Sequence, residues 1–157
     1  MPRTCDIVGI DQGISTGYFH LVYKEARGSE GPHNFIQRTY AKKHLPSLYK
    51  DIKAHTNRDN TFIVVEDYSI IPGKRIKHHK EPLLIQGHIG GLVHYTPGEA
   101  TFIVQQPLQR RVATKSVVNK IMGQEIKFDN THTFDAARHA VAFMLVHDAA
   151  PKWVKEL

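Results

Sequence analysis

A chain of 157 residues is about one ordinary domain, long enough to bury roughly two-thirds of the surface its unfolded form exposes, with no need of disulfide or zinc staples. The single cysteine, Cys5, excludes an intramolecular disulfide framework and fits a buried small side chain in a reducing interior. Lys and Arg number 21 against 15 Asp and Glu, a formal charge of +6 that suits a polyanionic partner.

The N-terminus carries no charged-then-apolar leader, and no apolar run approaches the roughly 18 residues of a membrane span, so a soluble, cytoplasmic protein with no membrane partner is expected. Without repeats or linker-like tracts, residues 1–157 are expected to form a single domain. Residues 5–10 read as a nearly continuous apolar strand of the kind found in the middle of a sheet. A glycine turn then leads to a second strand over 18–24, and the polar loop "EARGSEGPH" to a third over 34–40, which favours an antiparallel meander. Leu45, Leu48, Tyr49 and Ile52 recur at helical spacing and predict a helix over 43–55. Residues 61–65 form another apolar strand that runs directly into Glu66-Asp67. The basic stretch 72–80 reads as a loop, after which Pro82 opens a helix to Tyr95 carrying Leu83, Leu84, Ile89 and Leu92. The glycines of that helix, Gly87, Gly90 and Gly91, suggest backbone packed closely on backbone. A short strand over 101–104, the partly helical "QRRVATKSVVNK" and a last helix over 131–149, burying Ala136, Ala140, Phe143 and Met144, complete the order. The expected fold class is α/β: a mixed, ribonuclease H-like five-stranded sheet flanked by helices rather than a repeated βαβ unit.

The carboxylates are few, yet several stand where apolar strands end. Asp11 closes one strand and Glu66 another; if those strands are neighbours, both acids emerge at one edge of the sheet. His132 and Asp135 are three apart and share a helix face. Carboxylates and an imidazole gathered at one place repel or are strongly desolvated unless a cation sits among them, and an oxygen-rich set with one nitrogen suits Mg²⁺ or Mn²⁺. Each residue also has a plain structural role open to it: Asp11 as a turn residue, Glu66 as a strand-end charge, Asp135 as first-turn acid on a helix. Asp67 and Asp129 are the nearest competitors, ranked lower on strand parity and helix face.

The stretches "GIDQGISTGY", "IVVEDYS" and "HTFDAARHA", in that order and at those distances, resemble the RuvC-like Holliday-junction resolvases of the ribonuclease H-like superfamily, particularly the compact phage-type members. The resemblance spans nearly the whole chain; the turn after Gly13 is one residue shorter than in the bacterial enzymes, and Gln12 stands where a proline is often found. It implies a structure-selective, metal-dependent endonuclease that resolves four-way or branched DNA junctions by paired symmetric nicks, in a bacterial cell or a phage-infected host. It also implies catalytic and metal-binding roles for Asp11, Glu66, His132 and Asp135. Two Mg²⁺ ions about 4 Å apart, with Mn²⁺ able to substitute, would activate water and stabilise the departing oxygen. Asp11 would bridge both ions, while His132 would either ligate or position the water. The resemblance further implies a symmetric homodimer, formed through the helix that Pro82 opens, to match the two strands of a junction.

Two basic runs offer phosphate contacts: Lys74, Arg75, Lys77 and Lys80 after Glu66, and Arg110, Arg111 and Lys115 before the last helix. Tyr68 corresponds roughly to an aromatic that the family uses against bases. Rival readings are a ribonuclease H or other flap or fork nuclease on the same fold, and a non-catalytic junction-binding protein. An actin-like ATPase, whose phosphate loop shares Asp-x-Gly, would need two such domains.

Overall fold

The computed structural model describes residues 3–25, 32–68 and 80–155. Strands β1 (Thr4–Asp11), β2 (Ser15–Lys24) and β3 (Asn34–Ala41) form the antiparallel meander. Helix α1 (Leu45–Lys53) then carries the chain back to β4 (Thr61–Glu66), parallel to β1, and α2 (Lys80–Tyr95) precedes β5 (Thr101–Gln105), parallel to β4. The five strands lie in the order β3-β2-β1-β4-β5. Helices α3 (Lys115–Met122), α4 (Thr131–Val146) and α5 (Lys152–Lys155) follow. Among the described residues no helix is long and apolar enough to cross a membrane.

Side chains alternate across each strand, so one sheet feeds two cores. Cys5, Ile7, Phe19, Leu21, Phe62, Val64 and Ile103 face α3 and α4, where Val118, Met122, Ala136, Ala140, Phe143 and Met144 meet them. Val8, Ile10, Tyr18, Ile63 and Val65 face α1 and α2, against Leu48, Ile52, Ile85 and Ile89. Burial on both faces is why β1 and β4 read as continuous apolar runs. Cys5 is fully buried, and burial first, then the charge of Asp6, pushes its thiol up to about 12.

Glycine decides how closely α4 can lie on the sheet. A Cβ on Gly9 would stand 2.0 Å from the Ala136 carbonyl oxygen, and one on Gly17 would stand 2.0 Å from that of His132. The helix is started by a reciprocal cap: Asn130 Oδ1 accepts from the Thr133 N–H at 3.0 Å, and Thr133 Oγ1 accepts from the Asn130 N–H at 3.3 Å.

Several expectations are corrected. Residues 42–44 form a 3₁₀ turn, so α1 is shorter than 43–55. Lys80 is the first residue of α2, not the end of a loop. The buried stripe of α2 is Pro82, Ile85 and Ile89, leaving Leu84 exposed. Its glycines do not pack backbone on backbone: Gly90 meets the Phe102 ring, while Gly87 and Gly91 face open space. The last helix ends at Val146, because His147 is extended, and α5 follows it.

Candidate metal centre

Parity and register bring the strand-end acids together. Ile10 pairs with Val65, so Asp11 and Glu66 leave the adjacent parallel strands β1 and β4 side by side, on the face covered by α4. Gln12 ties these ends: its Nε2 donates to the Glu66 carbonyl at 2.6 Å, and the Glu66 N–H donates to its Oε1 at 3.2 Å. The carboxamide thus extends the β1–β4 pairing by one residue and fixes the backbone that carries both acids.

From above, α4 presents His132, Asp135 and His139, three positions of one helical stripe. His132 Nδ1 lies 3.0 Å from Asp11 Oδ2, with its side chain 44% exposed. His139 is fully buried. Its Nδ1 is 2.7 Å from Gln105 Oε1, and Gln105 Nε2 donates back to the His139 carbonyl at 3.3 Å. An N–H at Nδ1 satisfies the Gln105 oxygen and leaves Nε2 bare. That nitrogen lies 3.3 Å from Glu66 Oε2 and is a buried atom with no hydrogen-bond partner. One donor atom each from Asp11, Glu66 and His139 falls within 4.8 Å of the others. A lone pair facing a carboxylate in a buried place calls for a cation between them, so the donor set fits a divalent metal.

Asp135 stands at the rim. Arg138 Nη1 is 3.1 Å from its Oδ1, and Arg110 Nη1 lies 3.8 Å from its Oδ2 and 3.3 Å from Glu66 Oε2. Arg110 therefore spans two carboxylates of the cluster, whereas the sequence placed it among phosphate contacts. Electrostatics separate the two strand-end acids. Burial, with Asp135 adding to it, raises the Asp11 carboxyl above its ordinary range against the opposing pull of His132 and His139. For Glu66 burial pushes upward too, but the His139 imidazole beside it and the Arg110 guanidinium outweigh it, and its pKa is lowered. Tyr68 lies within the field of the same acids: burial, then Glu66 and Asp11, pushes its hydroxyl up to about 12.

The remaining candidates scatter. Asp67 accepts from Gln106 Nε2 at 3.0 Å, and the Asp129 N–H donates to Gln37 at 3.0 Å, so neither is among the clustered donors. Lys80, Arg111 and Lys115 are exposed. Lys74, Arg75 and Lys77 lie outside the described residues. Sequence reasoning missed His139, Gln12 and Gln105. The signal for His139 was its spacing, four residues beyond Asp135 and seven beyond His132, which puts all three on one face.

No protein-family model matches the sequence. A search by sequence among curated proteins finds no relative. The fold does have solved counterparts. The structure of T. thermophilus RuvC in complex with Holliday junction substrate matches at a TM-score of 0.64 and 14% identity, covering 88% of this chain and 91% of that one. A second Thermus thermophilus RuvC structure matches at 0.61 and 14% identity, covering 87% and 92%. With its mixed five-stranded sheet flanked by helices, the chain has the RuvC fold of the ribonuclease H-like class.

Proposed function

We propose that this protein is a metal-dependent endonuclease that resolves four-way or branched DNA junctions. The observation that carries the reading is the convergence of Asp11, Glu66 and His139 at one sheet edge, beneath His132 and Asp135, on a RuvC fold. Asp11, Glu66 and His139 would hold one divalent cation, and Asp135 with His132 would serve a second at the rim. A bound cation of this kind lowers the pKa of its water and neutralises charge on the phosphoryl oxygens.

The chain's own groups do the rest. Arg110 and Arg138 hold Asp135 in place and balance the acids. His132, hydrogen-bonded to Asp11 through Nδ1 and half-exposed, can exchange a proton with water or a phosphate ester oxygen through Nε2. Exposed Arg111, Lys115 and Lys80 are suited to the DNA backbone, with Lys74, Arg75 and Lys77 adding to them, and Tyr68 beside the acids is suited to stacking on a base. The natural ion is Mg²⁺ or Mn²⁺, and the imidazole of His139 favours Mn²⁺ at lower concentration.

A homodimer would supply two sites for the two strands of a junction. Its support is the outer face of α2, where Leu84 is 58% and Tyr95 83% exposed, and where Gly87 and Gly91, one turn apart, face open space.

The test is cleavage of a labelled four-way junction beside linear duplex and RNA–DNA hybrid, with Mg²⁺ and with Mn²⁺. Paired nicks in the junction alone are expected, and Asp11→Asn should lower the rate by roughly 10²–10³-fold while junction binding survives. Cutting of the hybrid would reassign the substrate, and binding without cutting under either ion would make the protein a junction binder.

A further inference from the structure

On the sheet face opposite Asp11 and Glu66, toward the other end of β1, three more metal-ligating side chains meet. Asp6 comes from β1, His20 from β2 and His55 from the turn after α1, and one donor atom of each lies within 4.8 Å of the others. Val8 lies across from His20 and Asp6 across from Val22, so Asp6 and His20 are diagonal neighbours on one face. Asp6 Oδ1 is 2.7 Å from His20 Nε2, and the His20 and His55 ring centroids are 4.3 Å apart. His55 Nε2 is 2.9 Å from the Tyr18 hydroxyl, whereas its Nδ1 is buried with no hydrogen-bond partner. An imidazole that donates Nε2–H to a hydroxyl oxygen keeps a bare lone pair on Nδ1. Metal-ligating histidines are held in that way, through the nitrogen that does not bind the ion.

The geometry points to a second cation site, of transition-metal type and best suited to Zn²⁺, formed by Asp6, His20 and His55. Two imidazoles and one carboxylate are a borderline-soft set that suits tetrahedral zinc with one position left open. Zinc bonds of about 2.0–2.2 Å put ligand atoms roughly 3.3 Å apart, which these donors reach by small side-chain adjustments. The open position has room: a cavity of about 240 Å³ adjoins the cluster, lined by Tyr18, His20, Ile36, Arg38, His55 and Arg58 among others. Zinc would bind His20 at Nε2, the atom that otherwise meets Asp6, with the neutral imidazole carrying its proton on Nδ1. Arg58, 3.8 Å from Asp6 Oδ1 and with its side chain more than half exposed, can swing into solvent as the ion enters. Bound there, zinc would pin β1, β2 and the turn after α1 to one another, independently of phosphodiester chemistry on the other face.

The test uses the full chain carrying Asp11→Asn and Glu66→Gln, which disables the other cluster, titrated with Co²⁺ as a spectroscopic substitute for Zn²⁺. A single equivalent with the intense visible bands of tetrahedral cobalt is expected, displaced by Zn²⁺ and not by a large excess of Mg²⁺. Adding His55→Gln should abolish the spectrum. Tyr18→Phe, which removes only the hydroxyl, should weaken Co²⁺ binding roughly ten- to a hundredfold. With the cluster unaltered, pseudocontact shifts should radiate from a point among Asp6, His20 and His55. No tetrahedral cobalt spectrum, an equivalent that persists in a folded His55→Gln protein, or shifts centred elsewhere would overturn the assignment.

Discussion

His139 is the residue on which the candidate centre turns. A neutral imidazole with no polar partner in an apolar core would be costly, and this one is held at Nδ1 by Gln105 while its Nε2 faces Glu66. Gln105 thereby sets the tautomer and touches none of the acids' oxygens. Gln105→Leu, close in volume, is expected to weaken Mn²⁺ binding roughly 10–100-fold, measured by calorimetric titration. His55 gives a separate expectation, about stability. Burial, then His20 and Arg58, lowers its pKa from 6.5 to about 4. As pH falls below 6.5 the unfolded chain takes up this proton before the folded one does, so stability held at neutral pH is lost down to about pH 4. Urea melts in chelator should show this decline, and His55→Gln should flatten the profile across that window.

Among the elements, α4 carries the most consequence because its first two turns rest directly on β1 and β2. Gly9 and Gly17 permit that contact, and no rotamer change can relieve a methyl group set 2.0 Å from a backbone carbonyl oxygen. Gly9→Ala and Gly17→Ala are each expected to cost about 1–3 kcal/mol in denaturant melts. Gly17→Ala should also lift His132 off Asp11 and lower cleavage beyond what the lost stability explains. The glycines of α2 predict the reverse. Gly87 sits in a helix interior with open space beside it, so Gly87→Ala should stabilise the monomeric chain by roughly 0.5–1 kcal/mol in dilute solution.

For the whole molecule, the exposed face of α2 lies across the sheet from α4, so an assembly formed through it leaves the Asp11–Glu66–His139 centre of each protomer open to DNA. Gly87→Arg combined with Tyr95→Glu places charge on that face without entering either core. Sedimentation should then report a monomer, and junction cleavage should change from paired to independent single nicks. A dimer that survives the pair of substitutions would move the interface elsewhere.

The succession of elements along the chain and the acids at strand ends were legible in the sequence, because apolar runs, their parity and the turns between them are local patterns. Asp11 and Glu66 could be set on one edge once β1 and β4 were taken as neighbours, and His132 with Asp135 on one helix face, since these are consequences of the two backbone periods. His139 was not legible as a donor: in sequence it is one more residue of an alanine-rich helix. Its role depends on Gln105, which arrives from β5 to hold one ring nitrogen and leave the other bare. The same holds for Arg110, which spans Glu66 and Asp135 instead of standing clear in a basic patch, and for His55, brought to Asp6 and His20 by the packing of α1 on the sheet. Periodicity specifies which side of its own element a residue faces; which residues from other elements it meets there depends on how helices and strands pack across the core.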